Sequence, residues 1–270
     1  DWPPQALTPL TSTSLKTETY LTQQHIPLKV SPSELTEKWQ QRIDNRVPVQ
    51  YLVGETPWRN LTLTVTPDVL IPRPETELII DIVQQLVSNS PIEEQYYTGH
   101  WADLGTGSGA IAIGLAQQFK SAIIHAVDIS PAALKLAQHN ARKNHLSDNI
   151  RFYQGSWLSP LSKIKKQLTG IVSNPPYIPS KTVLTLQPEV TNHEPHLALD
   201  GGTDGLSCIQ DLITSSPNYL HPGGIWLIEI MQGQAKTIVH LLTQQGKYTH
   251  IQTHPDLAGI GRFVSARKAL

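Results

Sequence analysis

The 270-residue sequence has one cysteine, one methionine and three phenylalanines, and it favours neither sign of charge. A single cysteine, Cys208, excludes an intramolecular disulfide framework and fits a reducing, cytoplasmic setting. The plain reading of Cys208 itself is a small buried apolar side chain rather than a nucleophile. Lys and Arg total 21 against 22 Asp and Glu, a formal charge of −1, which argues against a chain that lives on nucleic acid. No apolar run is long enough to cross a bilayer, so no membrane partner is expected. The N-terminus shows no signal-peptide pattern, and its first residue, Asp1, predicts a truncated or processed start. What is present is a 39% apolar content, enough for a real core, in a length that predicts one large catalytic domain and a small extra module.

Residues 1 to about 28 are rich in Thr, Gln and Pro and carry no firm periodicity. A helix is expected from Ser31, which can cap, through Pro32 at the first helical position and Glu34 in a capping box. Leu35, Trp39 and Ile43 recur on one face of it. Residues 1–48 therefore read as a helical module. The strict alternation Leu61-Thr62-Leu63-Thr64-Val65-Thr66, with Gln50 to Val53 before it, predicts a linking β-hairpin within 49–72. From 73 to 270 the chain reads as a catalytic domain. It begins with a helix through Leu78, Ile79, Ile82, Val83 and Leu86, and then strands and helices alternate.

Strands are expected at 101–104, 122–127, 150–154, 170–173, 225–230, 249–252 and 262–266, with helices at 110–118, 130–144, 206–213 and 234–244. That rhythm predicts an α/β fold with a mostly parallel sheet covered on both faces and room for an antiparallel edge. Residues 178–205, rich in Pro, His and Gly, read as a long insertion without regular structure that forms a lid or substrate wall.

Asp103-Leu104-Gly105-Thr106-Gly107-Ser108-Gly109 leaves one expected strand and enters a helix. Glycines let the backbone approach a ligand at positive φ, and a helix start offers free N–H groups. The spacing differs from the dinucleotide fingerprint and lacks the Lys-Ser/Thr of a Walker loop, so a plain tight turn is the alternative. Asp128 ends the next strand about 20 residues on, where a carboxylate can accept both ribose hydroxyls of a nucleoside. Its alternative is a cap for the helix that opens near Ser130. Trp157, after the third strand, is placed either beside an adenine ring or in the core.

Asn174-Pro175-Pro176-Tyr177 follows the apolar run Gly170 to Ser173. Two prolines cannot continue a sheet ladder, so they turn the chain out at the strand end in a rigid, extended shape. Such a turn can hold a planar NH2 group: Asn174 Oδ1 and a main-chain carbonyl, that of Pro175, accept its hydrogens, and the Tyr177 ring covers its face. For Asn-Pro-Pro alone an ordinary strand-ending turn explains as much. The glycine loop upstream changes that balance.

Together these segments resemble the seven-stranded class I S-adenosylmethionine-dependent methyltransferases. Within them the chain is similar to the HemK/PrmC family of protein-(glutamine-N5) methyltransferases that act on peptide chain release factors. The resemblance rests on Arg46 to Tyr51, Gly54-Glu55, Ile71 to Glu77, Asp103 to Gly109, Asp128, Asn174 to Tyr177, Glu194-Pro195 and Ala198-Leu199. It covers about residues 34–267 and departs in the first 30, where the family's helical bundle is longer, so part of a release-factor docking module is expected to be missing. It implies S-adenosyl-L-methionine as cofactor, a release factor's Gly-Gly-Gln glutamine as substrate and a role in translation termination. By the same resemblance, Gly105, Thr106, Gly107, Ser108 and Gly109 contact the methionine end of the cofactor, Asp128 the ribose and Trp157 the adenine. Asn174, also expected beside the cofactor, joins Pro175, Pro176 and Tyr177 in receiving the glutamine, with Asn174, Pro175 and Tyr177 catalytic. Arg73 and Glu75 either brace the site or form a structural ion pair or cap.

Two rivals share the chemistry: an N-methyltransferase of adenine or cytosine, and one acting on a ribosomal-protein glutamine. A base-modifying enzyme must flip its target and grip phosphates, for which this neutral chain has no large recognition domain. A non-catalytic cofactor-binding module would need no complete Asn-Pro-Pro-Tyr. His193 and His196 flank Glu194, but their spacing matches no zinc motif, so no metal is expected.

Overall fold

The structure, a computed structural model, describes residues 30–270 apart from 89 and 91, so the expectations for residues 1–28 lie outside it. The chain divides into two units, residues 1–45 and 46–270. In the first, α1 (Pro32–Asp44) begins where its sequence signals place it: Ser31 Oγ accepts the Glu34 N–H at 3.2 Å and Pro32 fills the first turn. Leu35, Trp39 and Ile43 all stand exposed among the described residues.

The second unit opens with a departure from the expected hairpin. Gln50 to Val53 do not form its first arm; they lie in α2 (Val49–Val53). Pro48 starts that helix and Gly54, at φ +83°, ends it in the left-handed conformation that glycine tolerates. Tyr51 then reaches 2.6 Å to the Val69 carbonyl instead of pairing in a ladder. The hairpin itself is β1 (Glu55–Trp58) against β2 (Leu61–Thr64).

After a 3₁₀ turn at Glu75–Glu77 come α3 (Leu78–Ser88), α4 (Glu93–Thr98), β3 (His100–Leu104), α5 (Ala110–Gln118), β4 (Ile123–Asp128), α6 (Pro131–Lys143), β5 (Ile150–Gln154) and β6 (Leu168–Ser173). The insertion holds short elements that the sequence pattern did not show: α7 (Ser180–Val183), α8 (Pro188–Thr191) and a 3₁₀ turn at His196–Ala198. The chain closes with α9 (Ser207–Ser215), β7 (Leu220–Glu229), α10 (Ala235–Gln245), β8 (Tyr248–Pro255) and β9 (Gly261–Lys268).

The seven-stranded sheet runs β5-β4-β3-β6-β7-β9-β8. Its first five strands are parallel and β9 is antiparallel to both neighbours, as the short final segments permitted. Successive side chains of a strand point to opposite faces, and here each face has its own core. Trp101, Val172, Ile225 and Leu227 join Ile79, Val83, Ile113 and Phe119 on one side. Ala102, Ile171, Trp226 and Ile228 join Ile209, Leu212, Ile238 and Leu242 on the other. Fully burying such aliphatic and aromatic side chains contributes about 1.5–3 kcal/mol each. The strand order reverses at β3, which pairs with β4 on one side and β6 on the other. In open α/β sheets the crevice beyond the strand ends at such a reversal is where ligands bind.

Candidate active site

A cavity of about 330 Å³ lies at that reversal, a size suited to a small-molecule cofactor. It is lined by Gly105, Thr106, Gly107 and Ser108 after β3, by Asp128 after β4, by Trp157 after β5 and by Asn174 and Pro176 after β6. Four strand ends thus bring together most of the residues singled out from the sequence.

The glycine loop is shaped by its backbone. Gly105, Gly107 and Gly109 have φ of +74°, +53° and +86°, a region that costs a side chain strain. The Gly105 and Thr106 N–H groups both donate to the Val127 carbonyl at 2.9 Å, folding the loop onto β4. Gly109 does not line the cavity: it caps α5, and a Cβ there would come 3.1 Å from the Ala137 methyl of α6. Its lack of a side chain lets the loop and two helices close-pack.

Asp128 lines the cavity and holds the backbone on either side of it, while the cap of α6 is Ser130 and not Asp128. Its Oδ2 accepts the Gly107 N–H at 2.8 Å and its Oδ1 the Ser130 N–H at 2.9 Å, while Ser130 Oγ caps α6 through Ala133 N. It therefore fastens the loop and still presents lone pairs to the cavity it lines. Trp157, half-buried at φ +47°, stands so close to Gly105 that a Cβ there would lie 3.6 Å from its ring.

Asp103 was not among the expected site residues. It is fully buried beneath the loop, where its Oδ2 accepts Thr106 Oγ1 at 2.5 Å and Ala112 N at 3.0 Å. Burial pushes its carboxyl up to about 7, and among the described residues Oδ1 has no partner. Asp103 is nevertheless absent from the cavity wall, so it holds the loop in shape from beneath rather than facing a ligand. The carboxylate of Asp128 and the indole of Trp157, both on the cavity wall, fit the ribose and base of a nucleoside.

At the end of β6, Asn174 Nδ2 donates to Thr76 Oγ1 at 3.2 Å, and the Thr76 hydroxyl donates to Glu229 Oε2 at 2.6 Å. Tyr177 does not line the cavity: its hydroxyl donates to Glu229 Oε1 at 3.0 Å and its ring packs on the second core. Burial first, then the Glu229 charge, holds that phenol well above its ordinary range. Pro175 is buried, and it too is absent from the cavity wall. Thr76 and Glu229 escaped the sequence reading, although Thr76 stands inside the Pro-Arg-Pro-Glu-Thr-Glu segment; Glu229 carried no signal beyond being an acid at the end of an apolar strand.

The insertion walls the cavity with Pro195, Leu197, Ala198 and Asp200. It rejoins the sheet end through Ile178 N to Leu199 O at 3.0 Å and Gly201 N to Ile178 O at 2.8 Å. Arg73 lines the cavity and pairs with Glu194 of the insertion, whereas Glu75 is exposed at the start of its 3₁₀ turn. Among the described residues no three His, Cys, Asp or Glu side chains gather as a metal ion would need, and no helix is long and apolar enough to cross a membrane. Cys208 is half-buried at the cavity wall rather than in the core.

Comparison with known proteins adds independent findings. The profile of the methyltransferase small domain matches residues 79–254. A release factor glutamine methyltransferase of Synechocystis is 51% identical over 267 residues, covering 99% of this chain and 88% of that protein. The enzyme of the same name from Thermosynechococcus vestitus is 51% identical over 242 residues, covering 90% and 81%. That from Coxiella burnetii is 42% identical over 221 residues, covering 82% and 75%. Among solved structures, the hMettl16 catalytic domain in complex with a 3′UTR hairpin superposes with a TM-score of 0.62 at 15% identity, over 88% of this chain and 93% of that one. A methyltransferase from Pyrococcus furiosus does so at 0.51 and 15%, over 88% and 98%. At such identities the structural likeness shows the fold alone, that of the class I methyltransferases.

Proposed function

This chain belongs to the release factor glutamine methyltransferases, and from that premise we propose how its residues methylate the side-chain amide nitrogen of a release-factor glutamine. The cofactor in this reading is S-adenosyl-L-methionine, which supplies when bound a methyl group made electrophilic by its sulfonium. Asp128 would hold its ribose hydroxyls, Trp157 its adenine, and Gly105 to Ser108 its methionine end, with Asp103 bracing that loop from beneath.

An amide nitrogen is a poor nucleophile because its lone pair is delocalised into the carbonyl. The residues at the end of β6 answer this by orientation. Asn174 Oδ1 and the Pro175 carbonyl accept the two hydrogens of the glutamine carboxamide and stabilise positive charge as it develops on nitrogen. Pro176 lines the approach and Tyr177 secures the turn from behind. Holding the reactants in line supplies up to roughly 7–11 kcal/mol in favourable cases, so no base is needed before attack. The proton leaves afterwards.

One observation carries the reading: the glycine loop and the Asn-Pro-Pro-Tyr turn leave adjacent strands, with Leu104 directly opposite Ser173, and Gly105 to Ser108, Asn174 and Pro176 line one cavity. The test is incubation with methyl-labelled cofactor and a release factor, beside that factor's Gln-to-Ala variant and DNA. Label is expected in the intact factor only. Label retained by the Gln-to-Ala variant, or incorporated into DNA, would overturn the assignment.

A further inference from the structure

We propose that Thr76 and Glu229 are positioning residues that decide which end of the Asn174 carboxamide faces the substrate. The inference deepens the reading above and rests on it for its consequence, though not for its geometry.

Glu229, the last residue of β7, is 2% exposed and stands between two hydroxyls, Thr76 Oγ1 at 2.6 Å and Tyr177 Oη at 3.0 Å. A carboxylate can only accept, so each hydroxyl must point its single hydrogen at it. Thr76, its hydrogen committed to Glu229, is left with lone pairs toward Asn174. The group at 3.2 Å must then be the NH2 of that amide, and Oδ1 becomes the end available to an acceptor. Without the acid, the threonine rotor could donate to Oδ1 as readily as accept from Nδ2. The flipped amide would then offer N–H groups to a substrate that also presents N–H, a pairing of like with like.

The carboxylate is thus the final acceptor of two hydrogen bonds in series, Asn174 to Thr76 to Glu229, with Tyr177 donating to its other oxygen, and the set joins β7, the segment before α3 and the turn after β6. Burial raises Glu229 to about 6, with Arg262 opposing that shift and Glu75 adding to it, so the group is charged at neutral pH. Thr76 is itself buried, at 4% exposure, so no bulk water competes for its lone pairs. Its neighbours Glu75 and Glu77 face elsewhere: Glu75 is exposed, and Glu77 Oε1 accepts from Arg59 N.

The test compares Thr76→Val, which keeps shape and removes the hydroxyl, with Thr76→Ser, which keeps the hydroxyl. Thr76→Val should lower kcat on the order of a hundredfold, as small misplacements of a positioning group do. Cofactor Kd should be unchanged, and Thr76→Ser should recover most of the rate. A Thr76→Val enzyme as fast as wild type, or a Thr76→Ser enzyme as slow as Thr76→Val, would overturn the proposal. Should the wild type transfer no methyl to a release factor, the functional reading fails instead, and the relay is judged by NMR of the Asn174 side-chain amide. Its Nδ2 hydrogens should exchange slowly in wild type and Thr76→Ser and rapidly in Thr76→Val. Rapid exchange in wild type would overturn the relay on its own.

Discussion

Arg73 Nη2 lies 2.7 Å from Oε1 and 2.9 Å from Oε2 of Glu194, joining the passage before α3 to the insertion across 121 residues of chain. The Glu194 side chain is 2% exposed and that of Arg73 34%. Burial raises the Glu194 carboxyl and the guanidinium beside it opposes that shift.

Arg73→Ala therefore strands a buried charge, and such losses cost about 3–5 kcal/mol. With Arg73 partly open to solvent, a loss of about 3 kcal/mol at pH 7.5 is expected from denaturant unfolding. The loss should shrink at pH 5, because protonating Glu194 removes the stranded charge. Equal losses at both pH values would show that the cost is packing and not charge.

Glu229 supplies a second linkage. Its carboxyl is raised by burial from an ordinary 4.5 to about 6, so between those values the folded chain holds a proton that the unfolded chain has released. This group's contribution is fully present below pH 4.5 and is lost as pH rises through 6, by on the order of 2 kcal/mol. Glu229→Gln lacks that term. Thermal melts from pH 4.5 to 6.5 should show the variant gaining on wild type across the window. A constant gap would contradict the shift.

Gly109 and Gly246 separate conformation from contact. Both sit in the left-handed region, at φ +86° and +72°, but only at Gly109 would a Cβ press on a neighbour, 3.1 Å from Ala137 against 3.9 Å from Gln244 O at Gly246. Gly246→Ala should cost about 1 kcal/mol. Gly109→Ala should cost about 2–3 kcal/mol and weaken cofactor binding by calorimetry, since the loop must shift with it. Equal costs would mean that α6 yields freely.

Asn174→Ala removes the acceptor and leaves the cofactor wall standing. Turnover should fall on the order of a hundredfold or more, while cofactor affinity survives in part. Single-turnover methyl transfer beside calorimetry checks this. Near-normal transfer would take Asn174 out of the chemistry.

Much of the sheet is legible in local pattern, because a strand buried on both faces announces itself as an apolar run, as Leu168–Ser173 does; the edge strand Ile150–Gln154 and the helix Ala110–Gln118 also match the sequence reading to the residue. Failures came where context overrode composition. Gln50 to Val53 look extended, yet Pro48 and Gly54 bracket them into a helical turn. α4 is six residues long, too short for a period to emerge, and it is held by Tyr96 Oη to Gly223 O at 2.8 Å and Trp101 Nε1 to Tyr96 O at 2.9 Å. The cavity wall was largely visible, because Gly105 to Ser108, Asp128, Trp157 and Asn174 sit at strand ends whose order the alternation implies. Thr76 and Glu229 were not, since nothing local marks two residues that meet across 153 positions. The inward turn of Tyr177 was hidden for the same reason, as its partner lies 52 residues away.

The pairing of Leu104 with Ser173 has a wider consequence. The glycine loop and the Asn-Pro-Pro-Tyr turn hang from neighbouring rungs at the middle of the sheet, about 4.8 Å apart by the ordinary spacing of strands. Their separation is a dimension of the scaffold, set before any ligand arrives. The insertion, by contrast, is clasped on from outside through Glu194. Replacing residues 178–205 should redirect which polypeptide is admitted while the distance over which a methyl group travels stays the same.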